Sequence, residues 1–187
     1  VALFGSLAPR GAILKRSAAT ESLFEKEARV MVFDGLEDLA NRIDDPDLDV
    51  TADDILLLKN AGSLTPAGMP EAGYLPIPRK IALTGVKDMV RMSDCRMSRT
   101  AYGTFGLPIP PEAASGGPLA LVETGDRIRL SVKDRSLYLL VPEEVLAKRR
   151  AAWVAPAAPK RGWDRIIHEQ VLQADEGCDL ALMRQGG

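Results

Sequence analysis

Residues 127–141 read RIRLSVKDRSLYLLV, and this stretch sets the fold class. Ile128, Leu130 and Val132 alternate with Arg127, Arg129, Ser131 and Lys133, the period-two pattern of a strand with one face on the core and one in solvent. A turn at Asp134-Arg135 leads into SLYLLV, so the two runs predict a hairpin. Outward from this hairpin, ARVMVF (28–33) and ILLL (55–58) read as buried strands. On the other side, Pro142 opens PEEVLAKRRAAW with proline at the first helical position and glutamates in the first turn. The basic cluster Lys148-Arg149-Arg150 ends this helix and is expected to be solvated. Asp34 and Glu37 form an Asp-x-x-Glu capping box before a short helix in LEDLANRI. Residues 60–80, rich in proline and glycine, predict a long loop, and such loops in compact domains are usually functional.

VAPAAPK (154–160) predicts a Pro/Ala linker, dividing a body at 1–153 from a C-terminal helical arm at 161–187. In the arm, DRIIHEQVLQA places Ile167, Val171 and Leu172 on one helical face. The expected class is α+β and β-rich, with helices packed around the strands.

Composition narrows the function classes. With 24 Lys and Arg against 26 Asp and Glu, the net charge is −2 and no basic face is expected, which argues against nucleic acid as a partner. No apolar run approaches the length of a membrane helix, and no signal peptide is seen, so no membrane partner and a cytoplasmic location are expected. The opening VALFGSLAPRG, without Met, reads as the middle of a longer polypeptide. Cys95 and Cys178 form no disulfide framework, fit a reducing compartment, and are too few to hold an iron–sulfur cluster alone.

Residues 91–104, RMSDCRMSRTAYGT, carry the densest chemistry. Ser98 needs an activator to act as base or nucleophile. The sole histidine, His168, lies beyond the linker, and no G-x-S-x-G elbow surrounds the serine. A bound cation or a helix N-terminus could lower its pKa; equally, a serine in a polar loop serves as a cap or turn residue. Glu71 closes NAGSLTPAGMPE (60–71), where it could be aimed at a hard cation such as Mg²⁺ or stand as an exposed loop acid. Arg91 and Arg96 could hold a carboxylate or form ion pairs with Asp94 or Asp88. Cys95 reads as a small buried filler rather than a reactive thiol. Gly116-Gly117-Pro118 reads as a turn, since no G-K-[ST] follows.

Five collinear stretches carry a family resemblance: GSLAPRGAILKRSAAT (5–20), LKNAGSLTPAGMPEAGYLPIP (58–78), DMVRMSDCRMSRTAYGT (88–104), PPEAASGGPLALVETGD (110–126) and RGWDRIIHEQVLQADEGCDL (161–180). Together they resemble the C-terminal domain of the dihydroxy-acid dehydratase / phosphogluconate dehydratase family, nearest its sugar-acid branch of arabinonate and xylonate dehydratases. The resemblance implies a swivelling β-barrel-like domain with flanking helices. It implies elimination of water from a 2,3-dihydroxy acid to give a 2-keto-3-deoxy acid. Ser98, in DCRMS, takes the position of the base; Glu71, ending the G-M-x-E loop, takes that of an Mg²⁺ ligand; Thr100 takes that of a substrate contact. Arg96 and Arg99 join the substrate-binding candidates. The family's iron–sulfur cysteines and remaining Mg²⁺ ligands lie in an N-terminal domain absent from this chain, which becomes the expected partner along with a small-molecule sugar acid and further copies in a dimer or tetramer.

The chain departs from the family pattern at four places. Arg99 replaces a usual glycine, Cys95 a small residue, Ser6 an asparagine, and GSLTPA (62–67) lacks the usual proline–glycine order. The alternative reading is a non-catalytic or divergent module of the same fold that packs against a partner chain.

Overall fold

The computed structural model describes residues 1–65, 68–69, 75–96 and 102–184. Among the described residues, eight strands and four α-helices follow in the order β1 (Ala2–Leu3), β2 (Ala12–Ile13), β3 (Glu25–Asp34), α1 (Gly35–Arg42), β4 (Ile55–Lys59), α2 (Arg79–Ala82), β5 (Arg91–Ser93), β6 (Phe105–Gly106), β7 (Arg127–Ser131), β8 (Ser136–Leu139), α3 (Glu143–Ala152) and α4 (Trp163–Gln170). Six of the strands form one sheet in the order β6-β5-β4-β3-β7-β8. The fold is β-rich α+β.

β3 joins the two halves of the sheet. Its residues Glu25–Arg29 pair antiparallel with β7, and its residues Val30–Asp34 pair parallel with β4. In the parallel half, both faces are covered. Val30, Val32, Ile55 and Leu57 pack into one core, while Met31, Phe33, Leu56 and Leu58 pack into a second beneath α1 and α2. Two-sided burial is why these strands read as unbroken apolar runs rather than as alternations. In the hairpin β7–β8 only one face is covered, so Ile128, Leu130, Leu137 and Leu139 are buried while Arg127, Arg129 and Tyr138 are exposed.

The N-terminal hairpin closes the sheet on itself. β1 pairs with β2. Beyond β1, Phe4 bridges Ser136 of β8; beyond β2, Leu14 bridges Gly106 of β6. Leu137 N donates to Phe4 O at 2.9 Å, and Leu107 N donates to Ile13 O at 3.1 Å. Both free edges of the six-stranded sheet are thereby occupied, which removes the exposed pairing groups an open edge would offer. The barrel-like shape expected from the resemblance rests on this closure. Ser6 completes it: its hydroxyl accepts from Leu139 N at 3.0 Å.

Several local expectations change. Ser131, expected to face solvent, is buried, and its hydroxyl accepts from Asp134 N at 3.0 Å to fix the hairpin turn, where Arg135 adopts φ 52°. The capping box before α1 does not form as read. Asp38, not Glu37, reaches back to Asp34 N at 2.9 Å, while the Asp34 carboxylate accepts from Asn60 Nδ2 across the strand ends. Pro142 sits one residue ahead of α3, as its N-cap. Lys148 and Arg150 are solvated, but Arg149 turns inward. It grips Asp126 bidentately at 2.6 and 3.0 Å and donates to Leu121 O at 2.9 Å, docking α3 on the body through charge-assisted bonds. In the arm, α4 stops at Gln170; Val171 is extended and pairs antiparallel with Leu180. Gly116 turns with φ 77° ahead of a 3-10 segment at Pro118–Leu121, in line with the turn expected there.

No helix among the described residues is long and apolar enough to cross a membrane.

Closure of the barrel should register in stability. Leu7 is fully buried in the first core, whereas Ile13 of the same hairpin region is 50% exposed. Leu7→Ala should lower the unfolding free energy by about 2–5 kcal/mol, the range for a deleted buried leucine side chain. Ile13→Ala should change it by no more than ~0.5 kcal/mol. Urea unfolding followed by circular dichroism measures both, and equal effects would contradict the closure described here.

Candidate active-site scaffold at the carboxyl edge of the parallel strands

β3, β4, β5 and β6 run parallel, so the segments that follow them leave from one edge of the sheet. In parallel sheets, open or closed, this carboxyl edge is where ligands are commonly bound. The loop bearing Glu71 follows β4, and the loop bearing Ser98, Arg99 and Thr100 follows β5. β4 and β5 are neighbours, with Leu58 opposite Ser93. Glu71, Ser98, Arg99 and Thr100 themselves lie outside the described residues. Arg96 is described and exposed.

Two buried carboxylates fix the roots of these loops. Asp94, directly after β5, is 1% exposed. Its Oδ1 accepts from Ala61 N at 2.9 Å and its Oδ2 from Ala113 N at 3.0 Å, tying the end of β4, the end of β5 and the 3-10 turn at Ala113–Ser115 together. Burial drives its carboxyl upward from the ordinary value, against the pull of these backbone donors. Glu112, next to Ala113, accepts from Leu64 N at 2.9 Å and from the Ser63 hydroxyl at 3.3 Å. Its carboxyl is raised by burial, and further by the nearby Asp94 charge. Gly62 is required beneath it: a Cβ there would stand 1.7 Å from Glu112 Oε2.

A third carboxylate, Asp88, orders the far side of the second loop. It accepts from Thr104 N and Oγ1, from Thr20 Oγ1 at 2.7 Å, and from Arg91 Nη2 at 3.0 Å. Burial alone would raise its carboxyl, but the donors of Thr104 and Thr20 and the Arg91 charge outweigh it and hold it below the usual value. Arg91 is thus the ion-pair partner of Asp88, not of Asp94. Its guanidinium lies 3.9 Å from the centroid of the Phe105 ring. Gly103, at φ 116°, makes room for it, since a Cβ would fall 1.9 Å from Arg91 Nη2. Arg91 is therefore engaged in the scaffold, which removes it from the candidates for holding a substrate carboxylate.

The C-terminal arm lies against the first loop. His168 Nδ1 is 3.2 Å from Leu64 O, Gln173 Oε1 accepts from Glu112 N at 2.8 Å, and Cys178 Sγ is 3.5 Å from Met69 Sδ. Arg10 adds ion pairs to Asp175 at 2.6 Å and Glu176 at 3.0 Å. Glu112 consequently touches both the loop and the arm. Sequence reasoning missed Glu112 altogether and saw Asp94 only as an ion-pair candidate. Asp94 stands inside the family-like stretch 88–104, whereas nothing local signals Glu112.

The described residues do not make a metal or cluster site. No group of three or more His, Cys, Asp or Glu among them could hold a metal ion. Asp94 and Glu112 spend their oxygens on backbone and hydroxyl donors. Cys95 fills the second core, as expected of a small buried residue, and burial pushes its thiol up to about 11, so it stays protonated. Cys178 is likewise raised by burial. These thiols do not fit an iron–sulfur cluster, which binds thiolates.

Residues 1–178 match the family model described as Dihydroxy-acid/6-phosphogluconate dehydratase C-terminal. A protein of Rhizobium meliloti (strain 1021), IlvD1, a dehydratase by designation only, is 55% identical over 97% of this chain. The 6-deoxy-6-sulfo-D-gluconate dehydratase of Pseudomonas putida is 46% identical over 98%, and the L-arabonate dehydratase of Azospirillum brasilense 46% identical over 97%. The chain covers 32% of the length of each of these relatives.

The buried state of Glu112 makes a pH prediction. The unfolded chain releases this proton near the ordinary 4.5, while the folded chain holds it to higher pH. The native state then binds more protons through that interval, so its stability falls as pH rises. Glu112→Gln removes this titration. Urea midpoints measured from about pH 4.5 to about pH 7 should shift steadily in the variant's favour relative to wild type. A difference independent of pH would contradict the assignment.

Proposed function

This chain belongs to the dihydroxy-acid/6-phosphogluconate dehydratase family, as its C-terminal domain, and from that premise we propose that it serves a hydro-lyase acting on sugar acids. The reaction removes the proton from the carbon next to the carboxylate and expels the hydroxyl from the following carbon. The resulting enol becomes a 2-keto-3-deoxy acid. Ser98 takes the proton and Thr100, Arg96 and Arg99 meet the substrate. Glu71 contributes one ligand to a Mg²⁺ ion, which when bound stabilises enolate-like charge. An iron–sulfur cluster and the other metal ligands come from an N-terminal domain, so the chain by itself is inactive. The complete enzyme is cytoplasmic and works as a dimer or tetramer.

The observation that carries this reading is positional. The two segments assigned the base and the metal ligand follow neighbouring parallel strands, and Asp94 joins the roots of both. Relatives named for sulfogluconate and arabonate support a sugar acid as substrate. The need for a strong base supports a serine alkoxide over a histidine, because the proton beside a carboxylate is weakly acidic. Arg99, in place of a glycine, favours a second reading in which the module has lost its chemistry and only packs against a partner chain.

The test uses a protein of the relatives' length that carries this chain, loaded with cluster and Mg²⁺, and a panel of aldonates. Dehydration of at least one is expected, with Ser98→Ala slowing turnover by about 10²–10⁴-fold, the usual contribution of a general base. If the whole panel stays intact while Arg99→Gly dehydrates one member, the catalytic reading fails for this protein.

A further inference from the structure

The arm and the first loop enclose a cleft of about 180 Å³, lined by Ser63, Leu64, Thr65 and Gly68 on one side and by Trp163, Asp164 and His168 among others on the arm. We propose that this cleft is a subsite for the polyhydroxy tail of the substrate, the end remote from the reacting carbons. The inference rests on the sugar-acid reading above.

The chemistry of the lining selects such a tail. Trp163 is 67% exposed and offers an indole face for the C–H side of a carbon chain. Thr65 Oγ1 donates to Gly62 O at 2.9 Å and keeps lone pairs that can accept, Asp164 adds an acceptor carboxylate, and the Ser63 hydroxyl is spent on Glu112. His168 meets Leu64 O through Nδ1; when that bond carries Nδ1–H, Nε2 of the neutral ring is an acceptor. No lysine or arginine lines the cleft among the described residues. An anionic carboxylate would therefore meet Asp164 unpaired, whereas neutral hydroxyls find acceptors. The volume is below the ~300–1,000 Å³ of pockets that take whole drug-sized ligands, which suits part of a small polyol. Ser63, Leu64, Thr65 and Gly68 belong to the same loop after β4 as Glu71. Sites that hydrogen-bond a substrate hydroxyl discriminate strongly against analogues lacking it.

The experiment measures KM and kcat of the cofactor-loaded, relative-length protein for L-arabinonate and for D-glycerate, a 2,3-dihydroxy acid with no tail. Trp163→Ala should raise KM for arabinonate roughly tenfold, with kcat within about twofold, because binding energy removed equally from ground and transition states acts on KM. Trp163→Phe should retain most of the wild-type KM, and glycerate should be indifferent to both changes. An unchanged arabinonate KM, an equal rise for glycerate, or a fall in kcat alone overturns the subsite and leaves α4 as a brace for the loop. Should wild type dehydrate neither acid, the dehydratase reading is decided separately by the aldonate panel. The cleft is then decided by titrating L-arabinonate into this chain in a Trp153→Phe background. Saturable quenching of Trp163 fluorescence that Asp164→Ala weakens supports the subsite, and no quenching overturns it.

Discussion

One buried carboxylate organises the functional edge of this molecule. Asp94 sits where β5 ends, withdrawn from water, and accepts hydrogen bonds from the ends of two other segments. Taking a carboxylate out of water costs several kcal/mol unless its oxygens are satisfied. Here backbone N–H groups satisfy them, and those groups find their acceptor in the carboxylate. The arrangement is mutually obligatory: the carboxylate needs the loop roots in place, and the loop roots need the carboxylate. Glu112 repeats the device one layer out, binding the 63–64 backbone and hydroxyl below and the arm through its own N–H.

The result is a braced base at the roots of the two loops that hold the candidate site residues, a division of labour that recurs wherever irregular segments carry function. The two-sided core under β3 and β4 supplies the rigidity. The ring of pairing through the N-terminal hairpin prevents the sheet from opening at its edges. Asp88 extends the same logic to the far end of the second loop, where Thr20, Thr104 and Arg91 converge on one side chain. The arm adds the last constraint by lying against the first loop at Leu64 and Met69.

Much of the fold was legible because its main strands carry local periodicity. RIRLSVK alternates, and VMVF and ILLL are continuous, so each announces how many of its faces are buried. β5 and β6, at three and two residues, are too short to announce anything. The barrel closure is illegible for the same reason, since single bridges at Phe4 and Leu14 depend on contacts more than ninety residues distant. Arg149 was misjudged because its partner, Asp126, is set by tertiary packing, and Ser131 because a local bond from the Asp134 amide to its hydroxyl overrides the alternation at the turn. At the candidate site, the family-like motif names two loops but not what holds their roots. Asp94 stood inside the motif, yet its role depends on Ala61 and Ala113; Glu112 stood in a stretch with no chemical signature. Cys95 was correctly read as a filler, because a cysteine beside a buried strand end packs like a small hydrophobe.

Amide hydrogen exchange in Asp94→Ala tests the account most directly. If Asp94 joins the loop roots, the amides of Ala61 and Ala113 should lose protection together, by roughly 10–100-fold, the scale of one buried hydrogen bond removed. The Leu57 amide, inside β4, should keep its protection. Unchanged exchange at residues 61 and 113, or loss at only one of them, would show that the two loops are held by something other than this carboxylate.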